Sequence, residues 1–371
     1  MLEGESMKQV VKDRLLNIVH DTVESDRQIR NCMLAVSTGD GDFHWSGADG
    51  LADEAKGVNI MPDTLFYLAS VTKLFTAVVI MQLYEDGNLA LDDPITRHLP
   101  SALIDGIHVY KGVDYTGQIQ IQHLLSHTSG IPDYYEKAPQ GGRSFFEILL
   151  AEPERAWSVE ETIAWARDKL EPDFIPGEKA AYSDTNFQLL GLIIEAVAGK
   201  ALHDVYRESI FEPLGMTHSY LHSRSGPIEV SGRVPAHIYY KDLDITSHKA
   251  FESSWADGGL VSTMDDCLVF LKAFNTGKLL KNKATLDLMH NWRPIQFPLK
   301  YGFGTMYFKL SRLMSPFSYM PGIWGHSGST GSFLFYCEEL DLYMVGSINQ
   351  AKSPGNPFQM MGKIMNLMKK L

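Results

Sequence analysis

Residues 70–84 read SVTKLFTAVVIMQLY, a serine and, three positions on, a lysine at the head of an otherwise apolar run. Asp86-Gly87-Asn88 closes the run, so the pattern predicts a helix from about Ser70 to Glu85. At i and i+3 the Ser70 and Lys73 side chains share one helix face. A serine hydroxyl is a poor nucleophile until a base takes its proton, and an amine one turn away can do so if its pKa is lowered. The helix start would also aim amide N–H groups at a developing oxyanion. The plainer alternative is a serine N-cap followed by an exposed lysine, since short motifs arise by chance. A lysine set among apolar neighbours argues for chemistry.

On the N-terminal side, residues 7–25 carry Val10, Val11, Leu15, Ile18, Val19 and Val23 near helical spacing. Residues 31–37 and 42–46 flank Gly39-Asp40-Gly41, which predicts a β-hairpin. On the C-terminal side the chain first becomes helical and loop-rich. Ser144 with Glu147, and Ser158 with Glu161, read as capping boxes. Further helices are expected at 185–198, 203–211 and 264–275. Strands return at 303–310, 332–337 and 341–348, followed by a helix at 357–370. Strands at both ends with helices between predict an α/β (α+β) fold: an antiparallel sheet built from both termini, flanked by helices, with an inserted mainly helical subdomain. The expected division is 1–90 with 250–371 for the sheet domain and 91–249 for the insertion.

The 371 residues are 44% apolar and 21% charged, an ordinary globular profile. Thirty-three basic against 45 acidic residues give a net charge of −12, which disfavours nucleic acid as a partner. Cys32, Cys267 and Cys337 are odd in number and far apart, so neither a disulfide framework nor a metal knuckle is expected. His123 and His127 are spaced i, i+4, yet no HExxH or third ligand accompanies them, and no metal or organic cofactor is expected. There is no apolar leader core and no run of 18 apolar residues, so the expected location is cytoplasmic, with no membrane partner. The absence of GxSxG argues against an α/β-hydrolase.

Two more stretches carry chemistry. Tyr182-Ser183-Asp184 stands between the turn Pro176-Gly177 and a helix, where Ser183 or Asp184 could simply cap. Trp324-Gly-His-Ser-Gly-Ser-Thr-Gly331 reads as a small-residue loop before an edge strand, open to close approach by a substrate. A Ser-x-x-Lys, then a tyrosine with a polar partner, then His-Ser-Gly, in that order, resembles the serine β-lactamase and penicillin-binding protein superfamily. Within it the chain is most similar to the class C β-lactamase-related group of DD-peptidases, D-aminopeptidases and family VIII carboxylesterases. His123-Leu-Leu-Ser-His-Thr-Ser-Gly-Ile-Pro132, Phe211-Glu-Pro-Leu-Gly-Met216 and Gly258-Gly-Leu-Val-Ser-Thr-Met-Asp265 extend the resemblance over roughly residues 10–350.

The resemblance implies that Ser70 is the acylated nucleophile, Lys73 shares its proton, and Tyr182 is general base or shuttle. Ser327 and Gly328 complete a triplet whose lysine is here His326, and the backbone amides of Ser70 and Ser329 form the oxyanion hole. Asp184 stands where the group usually has Asn, and Tyr134 is expected to line the cleft. A carboxylate accepts but cannot donate a hydrogen bond, so Asp184 weakens recognition of a substrate amide carbonyl and favours a charged Lys73. The expectation is that this cation lowers the Tyr182 pKa until the phenolate takes the Ser70 proton. A neutral His326 would hold a substrate carboxylate poorly. The expected substrate is therefore a small ester, or an amide without the usual carboxylate, with ester hydrolysis first and weak β-lactam turnover beside it; a β-lactamase or D-amino-acid-specific (DD-) peptidase is the alternative. A penicillin-binding sensor that stays acylated is a reading of a different class.

Overall fold

The computed structural model describes residues 2–230, 232–310, 320–353 and 355–369. Its centre is a nine-stranded antiparallel sheet in the order Arg293–Gln296, Leu299–Tyr301, Met306–Leu310, Met320–Ser327, Phe333–Cys337, Leu342–Ser347, Asn31–Thr38, His44–Asp53, Val58–Asn59. The N-terminal hairpin thus docks on the last strand, with Met33 opposite Ser347 and Thr38 opposite Leu342. The antiparallel sheet expected from both termini is present.

Strand alternation assigns the two faces. Cys32, Leu34 and Val36 turn to the helices Leu2–Ser25 and Gly355–Met368, whose Leu15, Val19, Met361 and Ile364 are fully buried. Met33 and Ala35 turn the other way, toward Thr72–Glu85, Asp184–Ala198 and Met264–Asn275. In Thr72–Glu85 every residue from Thr72 to Met81 is buried. A helix apolar all round belongs in the interior, and this one carries Lys73 there with it.

Both capping boxes form, with the Ser144 and Ser158 hydroxyls accepting from the Glu147 and Glu161 amides. The helix expected at 203–211 is instead Leu202–Tyr206 followed by a π-turn, Arg207–Phe211. The expected final helix runs Gly355–Met368; residue 370 lies outside the described residues. Among the described residues no helix is long and apolar enough to cross a membrane.

Candidate active site

A short ladder leads into the site. Phe66–Tyr67 pairs with Leu260–Ser262, and the Leu68 amide donates to the Leu260 carbonyl at 2.8 Å. Ala69 then takes φ +45°, a left-handed conformation that costs a residue with a Cβ on the order of 1–2 kcal/mol. This turn throws Ser70 out of the ladder into a single 3₁₀ turn, Ala69–Val71, that runs on into Thr72–Glu85.

Lys73 is fully buried, and its Nζ has three acceptors: Asp184 Oδ1 at 2.5 Å, the Asp257 carbonyl at 2.6 Å and Ser70 Oγ at 3.3 Å. An ammonium has three protons, so each finds a partner, the condition for burying such a charge. Burial pulls the Lys73 pKa down, but the Asp184 and Asp257 carboxylates outweigh it and the net direction is up. Lys73 is a cation. Asp257 sits at the turn before Gly258, its carboxylate accepting from Trp255 N and Tyr134 Oη, both at 2.8 Å. Burial and the nearby Asp184 charge push it up to about 6.

Asp184 opens the helix Asp184–Ala198, where the partial positive charge of the helix end also favours it. Loop 131–135 is strapped to that helix start: Asp184 N donates to Asp133 Oδ1 at 3.0 Å, and Thr185 Oγ1 to the Pro132 carbonyl at 2.7 Å. The Tyr182 ring lies 5.1 Å from Lys73 Nζ. Its hydroxyl is buried and makes no hydrogen bond of standard geometry among the described residues. The expected fall in its pKa is not found. Burial and the Asp184 charge drive it well up, and the nearness of Ser70 offsets this only in part. Asp184 cancels the cation that was expected to favour a phenolate, so Tyr182 is a neutral phenol.

The expected loop at 324–331 needs correction. The chain stays in strand through Ser327, with Ser327 opposite Phe333. His326 is therefore inside the sheet layer and fully buried. Its Nδ1 donates to the Ser327 carbonyl at 2.7 Å, which leaves Nε2 to accept from Tyr301 Oη at 2.9 Å. Burial and Lys73 bring its pKa down to about 3. Among the described residues Ser327 Oγ meets only Met306 Sδ, at 3.6 Å. Past it the loop is tied to the segment before Ser70, with Ser332 Oγ donating to the Leu68 carbonyl at 2.6 Å and Thr330 Oγ1 to the Tyr67 carbonyl at 3.2 Å. Gly328 makes this approach possible, since a Cβ there would lie 2.5 Å from the Leu68 oxygen.

A cavity open to solvent collects these elements. Ser70, Asp184, Asp257 and Ser329 lie on its wall with Tyr135, Phe146, Ile238, Ile245 and Phe251. Tyr134 does not line it: its ring is fully buried and its hydroxyl is spent on Asp257, while the next residue, Tyr135, turns into the cavity. Tyr182, His326, Ser327 and Gly328 are not among the residues that line it. Asp257 and Lys352, also on the wall, were not foreseen. Asp257 abuts a Gly-Gly that the sequence did flag, whereas nothing local marks Lys352. Among the described residues no His, Cys, Asp and Glu side chains group as metal ligands.

The profile of the Beta-lactamase family matches residues 18–360. Penicillin-binding protein 4* of Bacillus subtilis (strain 168) is 32% identical over 213 residues, 57% of this chain and 42% of that protein. The chain thus spans less than half the length of the curated relatives it matches. Among solved structures, the D-stereospecific amidohydrolase from Streptomyces sp. superposes with a TM-score of 0.73 at 26% identity, covering 93% of this chain and 97% of that one. EstCE1, described as a hydrolase with promiscuous acyltransferase activity, does so with a TM-score of 0.78 at 21% identity, over 97% and 99%.

Proposed function

Because the chain belongs to the beta-lactamase family, we propose that it is a serine hydrolase whose catalysis passes through an acyl-enzyme on Ser70. The observation that carries the reading is the row Ser70 Oγ, Lys73 Nζ, Asp184 Oδ1, with steps of 3.3 and 2.5 Å, beside a cavity that Ser329 also lines. Ser70 Oγ attacks the substrate carbonyl, and the amides of Ser70 and Ser329 receive the oxyanion. Tyr182, a neutral phenol, works as a shuttle: it accepts the Ser70 proton while giving its own to the leaving group, so no free phenolate is needed. Lys73 stays charged, steadying the developing alkoxide. In the second half-reaction water takes the place of Ser70 in the same exchange and cleaves the acyl ester.

The substrate we propose is an ester whose acyl group is apolar and carries no carboxylate. On the cavity wall Asp257 is acidic, Asp184 is ion-paired with Lys73 and Lys352 with Glu136, while His326, neutral and buried, does not line the cavity. That lining supports neutral acyl groups over the carboxylates of β-lactams and cell-wall peptides. A D-amino acid amide is the second reading. The Streptomyces neighbour, a D-stereospecific amidohydrolase, supports it.

Intact-mass spectrometry over time, after mixing with p-nitrophenyl butyrate, with benzylpenicillin and with D-phenylalanine amide, tests this. Rapid ester turnover lost in Ser70→Ala, with little penicillin adduct, supports the esterase. Turnover of the amide in preference to the ester selects the second reading. A penicillin adduct on Ser70 that persists overturns both in favour of a sensor.

A further inference from the structure

We infer that His127 is a positioning residue that clasps the backbone on both sides of Tyr182 and so sets where the phenol stands, an inference that rests on the serine-hydrolase reading. The His127 carbonyl accepts from Ala181 N at 2.9 Å, and its ring Nδ1 accepts from Ser183 N at 3.2 Å. The residues before and after Tyr182 are thus held by one histidine. Its ring centre is also 4.4 Å from that of Tyr182. Because the Tyr182 hydroxyl makes no hydrogen bond of standard geometry among the described residues, backbone and ring packing do most to set its place.

The clasp is itself held. Asn186 Nδ2 donates to the same Nδ1 at 3.1 Å, and Ser129 Oγ donates to Asn186 Oδ1 at 2.7 Å, which fixes which way that amide points. Two donors on Nδ1 place the imidazole proton on Nε2, which is buried without an acceptor among the described residues. His127 also holds φ +55°, which brings its carbonyl and its ring to bear on one segment. An uncharged, wholly buried histidine with one nitrogen unused is explained by the acceptor it presents to Ser183.

The test is the rate at which an alkyl fluorophosphonate labels Ser70, followed by intact mass and mapped by peptide. His127→Asn keeps an oxygen where Nδ1 stood and tolerates positive φ, and it should label within about threefold of wild type. His127→Phe keeps a ring against Tyr182 but offers no acceptor, and it should label about 30-fold more slowly. In a Tyr182→Phe background His127→Phe should add less than about twofold, because a clasp has nothing to act on once the hydroxyl is gone. If His127→Phe does not fold, Asn186→Ala replaces it, with a slowing of about tenfold that again vanishes without the Tyr182 hydroxyl. Equal labelling of His127→Phe and wild type, multiplicative losses in the double variant, or His127→Asn as slow as His127→Phe would each overturn the clasp. Wild type left unlabelled at Ser70 would overturn the hydrolase reading and the clasp with it.

Discussion

In the proposed mechanism Tyr182 and Lys73 divide the work that a single base does in a serine–histidine pair. With Lys73 protonated and Tyr182 a phenol, Tyr182→Phe removes the shuttle alone. Its kcat on p-nitrophenyl butyrate should drop by roughly 10²–10⁴-fold with KM little changed. Asp184→Asn should do something different. Once the carboxylate is gone, burial dominates and the folded Lys73 pKa falls below its unfolded value of 10.5, so the unfolded chain binds more protons. The variant should be less stable than wild type at pH 7 and should regain stability as pH rises toward 10, read by urea denaturation. Asp257 carries the opposite sign. Its pKa is raised to about 6 from 3.8, so the folded state keeps a proton that the unfolded chain releases. Relative to Asp257→Asn, wild type should lose stability between pH 4 and 6, by up to about 3 kcal/mol, and lose no more above that.

In the proposed mechanism the loop 328–332 bears on reactivity, because it is hydrogen-bonded to Tyr67 and Leu68 just before Ser70. Gly328→Ala should push that loop off the Ser70 turn. A displacement of about 1 Å at a reacting group costs on the order of 10²-fold, to be seen in kcat with the melting temperature nearly unchanged. The sequence revealed some of this architecture and hid the rest for physical reasons. The helix behind Ser70 and the 31–46 hairpin were legible because apolar periodicity and turn residues agree there. The strand Met320–Ser327 was not: both its faces are largely buried and it carries glycines and a histidine, so it shows neither alternation nor an apolar run. Tyr134 and Tyr135 differ by one position along a loop, where no period tells which side chain turns inward. The Tyr182 pKa was misread because sequence displays a cation nearby but not the burial that outweighs it.

At the scale of the molecule, the charge lining one cavity should appear as selectivity. A neutral p-nitrophenyl ester should exceed its hemisuccinate analogue in kcat/KM by about tenfold or more, and added salt should narrow the gap by screening. Equal rates at low salt would remove the electrostatic argument for a carboxylate-free substrate. The two Cα partners Met33 and Ser347 are 314 positions apart, and the pairing they begin also closes the sheet on which the 328–332 loop hangs. During synthesis the hairpin of Asn31–Thr38 and His44–Asp53 leaves the ribosome with one edge unmatched, a template for adhesion until Leu342–Ser347 arrives. Ser70 is translated well before Ser329, so the oxyanion hole proposed for the two amides is incomplete in between. In the proposed mechanism Ser70 therefore cannot be acylated efficiently until the chain has been made through Ser329, and long-range closure of this kind makes folding slow.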